Sequence, residues 1–112
     1  MKSWEIEYYT KQSGRSPIEE FIDGLPINAK ARVFKTFELV EEFGLDIGEP
    51  HVKYIKQGLW ELRIRTQEGA LRFLFTIKRR RAIILLHGFY KKTNKIRMRD
   101  LRSAEIRMNE LE

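Results

Sequence analysis

The sequence predicts an α+β domain: an N-terminal strand, a helical hairpin, an antiparallel three-stranded meander that completes one sheet, and a C-terminal helix. Three observations carry this reading. Apolar residues recur at helical spacing from Pro17 to Phe43, the period changes to two from about Tyr54, and helical spacing returns after Met98. A chain of 112 residues is expected to form one domain over 1–112, burying about two-thirds of the surface that its unfolded form exposes.

The elements follow in order. Residues 3–10 alternate Trp4, Ile6 and Tyr8 against Glu5, Glu7 and Tyr9, the pattern of a half-buried strand. After Gly14, Ser16-Pro17-Ile18-Glu19 reads as a capping box with Pro at the first helical position, opening a short helix that ends by Gly24. A longer helix is expected from about Asn28 to Phe43, with Val33, Phe34, Phe37, Val40 and Phe43 as its apolar stripe and Gly44 as its stop. Residues 45–52 read as an irregular connection. Strands are expected at Leu59–Arg65, Ala70–Lys78 and Ala82–Lys91, joined by turns at Gln67-Glu68-Gly69 and Lys78–Arg81. Ile83-Ile84-Leu85-Leu86 is apolar on both faces, which makes the last strand central, with helices covering one side. Leu101, Ala104, Met108 and Leu111 then mark an amphipathic helix that must dock on the sheet or on a partner.

Composition narrows the function. No cysteine is present, so there is no disulfide framework and no thiolate zinc site. No apolar run approaches the ~20 residues of a membrane span, and the N-terminus lacks a signal-peptide apolar core. The expectation is a cytoplasmic protein without membrane contact. The net charge of +6 is segregated: residues 53–102 hold fifteen Lys and Arg against Glu61, Glu68 and Asp100, a local +12, whereas residues 1–52 carry −4. A cationic sheet beside an acidic half suits a polyphosphate partner, nucleic acid first.

Strand parity sharpens this. Trp60, Leu62 and Ile64 share one face of their strand and Glu61, Arg63 and Arg65 the other; in the next strand Arg72 opposes Leu71 and Phe73. Matching apolar faces places Arg63, Arg65 and Arg72 on one surface. Lys91 or Lys92 must point to it from the third strand, and Lys95 and Arg97 follow in the loop. Fixed arginines aimed at a phosphate could stabilise the charge that accumulates when an RNA 2′-hydroxyl attacks its neighbouring phosphate. Such a reaction also needs a base and an acid. Glu61 is a candidate base or else a salt-bridge partner of the arginines, His87 is a candidate or a core histidine, and Tyr90 could stack on a base or lend its hydroxyl. His51 receives no role. Arg79-Arg80-Arg81 reads as an exposed turn tip. Three carboxylates and two isolated histidines in this region make no metal-ligand cluster, so no metal site and no cofactor are expected.

Leu59-Trp60-Glu61-Leu62-Arg63, then Arg72, then Leu85-Leu86-His87-Gly88-Phe89-Tyr90-Lys91-Lys92-Thr93 resemble the RelE/ParE superfamily of bacterial toxins, and most closely its HigB-like, phage-derived Gp49-like branch. The resemblance covers essentially the whole chain. It implies the toxin of a type II toxin–antitoxin pair, an endoribonuclease that cuts mRNA without metal, usually on the ribosome, and thereby inhibits translation. Its partners would be a cognate antitoxin, mRNA and the ribosome. Carried over by position, Arg63, Arg72 and Lys91 or Lys92 would hold the scissile phosphate, with Arg65, Tyr90, Lys95 and Arg97 as further RNA contacts. The aromatic or histidine that some members place after the last strand has no clear equivalent beyond Lys92, so Glu61, His87 and Tyr90 stay candidates for the proton transfers. Two alternatives remain: a ParE-like inhibitor of DNA gyrase acting by protein contact, and a non-catalytic nucleic-acid-binding relic.

Overall fold

The computed structural model describes residues 3–93 and 95–111. Its elements are β1 (Glu5–Tyr8), α1 (Pro17–Asp23), α2 (Ile27–Phe43), a 3₁₀ turn (Gly44–Ile47), β2 (Val52–Lys56), β3 (Leu59–Thr66), β4 (Gly69–Lys78), β5 (Ala82–Lys91) and α3 (Met98–Asn109). The α+β order expected from the sequence is present, with one strand more. The five strands form a single sheet in the order β1-β5-β4-β3-β2. The β2 to β5 run is antiparallel, and β1 closes the far side by pairing parallel to β5.

Local chemistry explains the helix ends. The Ser16 hydroxyl accepts from the Glu19 amide at 3.2 Å and Pro17 occupies the first turn, so α1 begins where its first orphan amides are satisfied. The α2 helix ends at Gly44, whose φ of +58° and lack of a side chain let the Trp4 indole lie against it; a Cβ there would come within 2.0 Å of the ring. At the other end of β5, Gly88 gives Phe21 of α1 its seat: a Cβ would sit 2.7 Å from the Phe21 ring and 2.9 Å from Phe73.

Helices cover both sides of β5, not one. The α1–α2 hairpin packs on the face that carries Leu62, Ile64, Leu71 and Phe73, with α1 on β5 and α2 on β3 and β1. On the opposite face α3 lies over β5 and β4. The apolar run Ile83–Leu86 is therefore buried throughout. Val33, Phe37 and Val40 form the inner stripe of α2 as expected, but Phe34 and Phe43 are each 48% exposed. They lie at the margins of the stripe, and the sheet beneath is too narrow to reach both.

Two irregularities matter later. Between Leu74/His87 and Phe75/Leu85 the β4–β5 register shifts, leaving Leu86 over as a bulge. Its carbonyl accepts from the Arg107 guanidinium at 2.8 Å, which ties α3 to the sheet. The second is the β2–β3 hairpin, whose turn residues Gln57 and Gly58 both have positive φ, the geometry of a type I′ turn.

Phe37 is buried against Tyr8, Phe34 and Phe73. Phe37→Ala is expected to lower unfolding free energy by about 3–5 kcal/mol, read from the midpoint and slope of urea denaturation.

Candidate functional site

The basic face is built from the register of three strands. Arg63 on β3 stands directly opposite Arg72 on β4, which in turn stands opposite Phe89 on β5. One row along, Arg65 faces Ala70, and Ala70 faces Lys91. In the row on the other side, Lys53 faces Glu61, Glu61 faces Leu74, and Leu74 faces His87. Alternation puts all of these on the sheet face opposite the helical hairpin. Of the expected site residues, Arg63, Arg65, Arg72, Lys91 and Glu61 are thus brought together. Lys95 joins them, lining a hollow of about 250 Å³ with Lys53, Glu61, Arg63 and Lys91.

Glu61 is not where a base must be. It is 1% exposed and lies beneath the arginines, accepting from Arg63 Nε at 2.9 Å. Arg72 Nε stands 3.3 Å from its other carboxylate oxygen, a close ion contact that is not aligned as a hydrogen bond. The carboxylate is engaged by two guanidiniums. Arg72 is correspondingly more buried than a solvated strand arginine, with a side chain 13% exposed, and it also donates to the Leu71 carbonyl. The Arg72 head is therefore neither freely exposed nor structurally dispensable.

The face is short of negative charge. Burial, then the neighbouring Arg63 and Arg65, push the Arg72 pKa down against the pull of Glu61. Burial likewise lowers Lys91, with Glu61 opposing and Arg72, Arg63 and Lys53 adding to the effect. Arg63, Arg65, Arg72, Lys91 and Lys53 around the single carboxylate of Glu61 leave an excess of positive charge that a bound anion would relieve.

His87 belongs to another structure. Its Nε2 lies 2.7 Å from Asp100 Oδ1 on α3, and Arg107 comes within 3.4 Å of Nδ1. A neutral ring with the proton on Nε2 satisfies both neighbours, because Nδ1 must accept where it meets a guanidinium. Consistently, burial lowers the His87 pKa below its ordinary 6.5, Asp100 opposes, and Arg107 and Arg99 reinforce the drop. His87 latches α3 and is not part of the arginine cluster.

Tyr90 points the other way, edge-on to Phe21 of α1 at 6.2 Å between centroids, so it cannot stack on a base at this face. The aromatic on the basic face is Phe89, stacked on His87. Parity alone could have found it: if Lys91 is on the face, Phe89 is too. Lys92 and Arg97 are exposed, past the end of β5 and at the residue before α3 respectively, with no contact that ties them to the cluster. Arg79, Arg80 and Arg81 occupy the β4–β5 turn at the far end of the sheet, where Arg79 pairs with Glu7 and Arg81 lies over the Trp4 ring at 6.0 Å. His51 is the residue that sequence reasoning missed. Its carbonyl accepts from the Arg63 amide at 2.7 Å, and the residue lines a recess with Arg63, Arg65 and Arg72.

Among the described residues, no group of three His, Cys, Asp or Glu could hold a metal ion, and no helix is long and apolar enough to cross a membrane. Residues 20–109 match the model of the family described as Phage derived protein Gp49-like, a span from within α1 to the last residue of α3. A search of curated proteins found no match.

Two measurements test this geometry. Glu61→Gln is expected to cost on the order of 3–5 kcal/mol, because it leaves two guanidiniums half-buried without their counter-charge; urea denaturation reads it. His87 has a folded pKa below its unfolded one, so its contribution is complete above pH 6.5 and is lost as pH falls below that value. The urea midpoint of wild type should therefore fall more steeply between pH 7.5 and pH 5.5 than that of His87→Gln.

Proposed function

We propose that this chain, which belongs to the phage-derived Gp49-like family, acts as the toxin of a toxin–antitoxin pair and cuts mRNA by attack of a 2′-hydroxyl on the adjacent phosphate. The observation that carries the reading is the fixed pair of guanidiniums, Arg63 and Arg72, seated on one buried carboxylate with Lys91 close by and cationic excess facing outward.

The chemistry follows from that arrangement. The bond formed joins the 2′-oxygen to phosphorus, and the bond broken frees the 5′-oxygen of the next nucleotide, leaving a 2′,3′-cyclic phosphate and a 5′-hydroxyl. Negative charge grows on the non-bridging oxygens as the phosphorus becomes five-coordinate. Arg63 and Arg72 meet those oxygens with planar forks whose orientation Glu61 has set before substrate arrives, so little reorganisation is needed at the barrier. Lys91 adds a point charge from β5. The nucleophile loses a proton and the leaving oxygen gains one; of the two histidines, only His51 lines the space beside the arginines, and imidazole suits either transfer near neutral pH. Phe89, in line with Arg63 and Arg72, offers an aromatic edge to a base. Partners in this reading are an antitoxin that covers the basic face, mRNA, and the ribosome that presents it.

Induction in a bacterium followed by primer extension decides the matter. Wild type should create new mRNA 5′ ends, Lys91→Ala should create few, and His51→Gln should lower cleavage by about 10²–10⁴-fold. Growth arrest without new ends would replace the nuclease by an inhibitor acting through protein contact, as in the gyrase reading, and absence of both effects would leave a binding relic.

A further inference from the structure

We propose that the recess at the open edge of β3, between Arg32 of α2 and the Arg63–Arg72 pair, is a second subsite that holds the phosphate and ribose next to the scissile one. The inference rests on the RNA reading above and extends its footprint to a helix that the strand platform does not include.

The recess exists because β2 starts late. Val52 pairs with Leu62, so from Arg63 onward the edge of β3 away from β4 has no strand beside it. Two groups take over its edge: the His51 carbonyl accepts from the Arg63 amide at 2.7 Å, and Arg32 Nε donates to the Arg65 carbonyl at 3.3 Å. The second contact engages Arg32 through Nε alone, and the exposed residue also lines the recess; a guanidinium so placed can offer its fork to two oxygens of one phosphate. Arg32, Arg63, Arg65 and Arg72 all line the space, with His51 and Thr36, and no carboxylate among the described residues does.

Size and continuity choose the occupant. The recess measures about 230 Å³, below the ~300–1,000 Å³ that encloses a whole small molecule. It therefore accepts a phosphate with its sugar and leaves the base outside. Arg63 lines both this recess and the hollow with Lys53, Lys91 and Lys95. A strand crossing Arg63 would place successive phosphates on its two sides. An isolated acidic side chain would need only one of these sites, so a polynucleotide is favoured over an acidic peptide.

The test uses the full chain and 2′-O-methyl RNA, which lacks the nucleophile and cannot be cut. Fluorescence anisotropy across a salt series compares a dinucleotide, with one internucleotide phosphate, with a trinucleotide, with two. Wild type should prefer the trinucleotide. Arg32→Ala should remove that preference, leave dinucleotide binding intact and reduce the salt slope by about 0.7. Arg32→Lys, which keeps the charge, should restore the slope. Arg32 is exposed, and an unchanged thermal midpoint of Arg32→Ala would show that folding is not what was altered. Equal trinucleotide affinity and slope in wild type and Arg32→Ala would overturn the subsite, and if wild type still makes new mRNA ends the nuclease reading would stand without it. Arg32-dependent trinucleotide binding with no cleavage in cells would keep the subsite and remove the nuclease. Arg32-dependent binding of polyglutamate, with none of the RNA, would overturn it in favour of an acidic protein segment.

Discussion

The basic face depends on one carboxylate sealed in the sheet. A buried Glu with two arginines is a poor way to gain stability, since the cost of removing three charges from water roughly cancels their attraction. What Glu61 provides is geometry. Strand arginines on an open sheet would swing through many rotamers; Arg63 is tied at Nε to a buried carboxylate, which restricts its guanidinium. The same carboxylate limits the repulsion between Arg63 and Arg72, which the antiparallel register forces to stand side by side. Like charges in directly opposed positions destabilise a ladder, so this pair persists because its counter-charge lies two residues back on β3.

That arrangement requires the sheet to be covered unevenly. The α3 helix packs on β5 and β4, and its Leu101 borders the hollow of Lys53, Glu61, Arg63 and Lys91. It is held there by polar contacts at several depths: His87 with Asp100, Arg107 with the Leu86 carbonyl, Lys56 with Glu105, and Tyr9 with Glu110. Apolar burial alone would not set the position of this helix, since Ala104 is its one fully buried apolar residue while Ile106 and Met98 are exposed. The bulge at Leu86 is what supplies a carbonyl for Arg107, so an irregularity in one ladder fixes where the open part of the face begins.

Much of this was legible from residue pattern, and the exceptions share a cause. Alternation in β3, β4 and β5 is regular, and both their bounds and the common face of Arg63, Arg65 and Arg72 follow from it. The β2 strand was illegible because its register slips between Tyr54 and Lys56 and because its turn, Gln57-Gly58, lacks the Asn or Asp that usually announces a type I′ hairpin. Missing β2 meant missing His51, whose position beside Arg63 is a consequence of β2 pairing. Tyr90, expected to stack on a base or lend its hydroxyl, lies on the other face because the parity that Lys91 imposes puts Phe89 opposite Arg72. The depth of Glu61 could not be read at all: a Glu between strand arginines looks the same in sequence whether it lies on the surface or is roofed by them.

The distribution of charge then acquires a second meaning. The +12 of residues 53–102 is not one patch, for Arg79–Arg81 sit at the opposite end of the sheet, where Arg79 and Arg81 are engaged with β1 and Trp4. The acidic N-terminal half, by contrast, is concentrated on the hairpin side, where Glu19, Glu38 and Glu41 ring a groove with Tyr8 and Phe34. Burial raises the Tyr8 pKa there, and Glu19, Asp23 and Glu41 raise it further. One face of the sheet is therefore cationic, and the groove of the hairpin side around Glu19, Glu38 and Glu41 is anionic. A molecule with that dipole, approaching a polyanion, is turned before contact so that the hairpin side points away and the arginine face leads, an effect that acts through the field of the whole chain and weakens as salt screens it. The segregation of charge along the sequence is thus the one-dimensional trace of an orientation in space, and it is the fold, by placing the acidic groove of the hairpin and the cationic strand face on opposite sides of one sheet, that converts the first into the second.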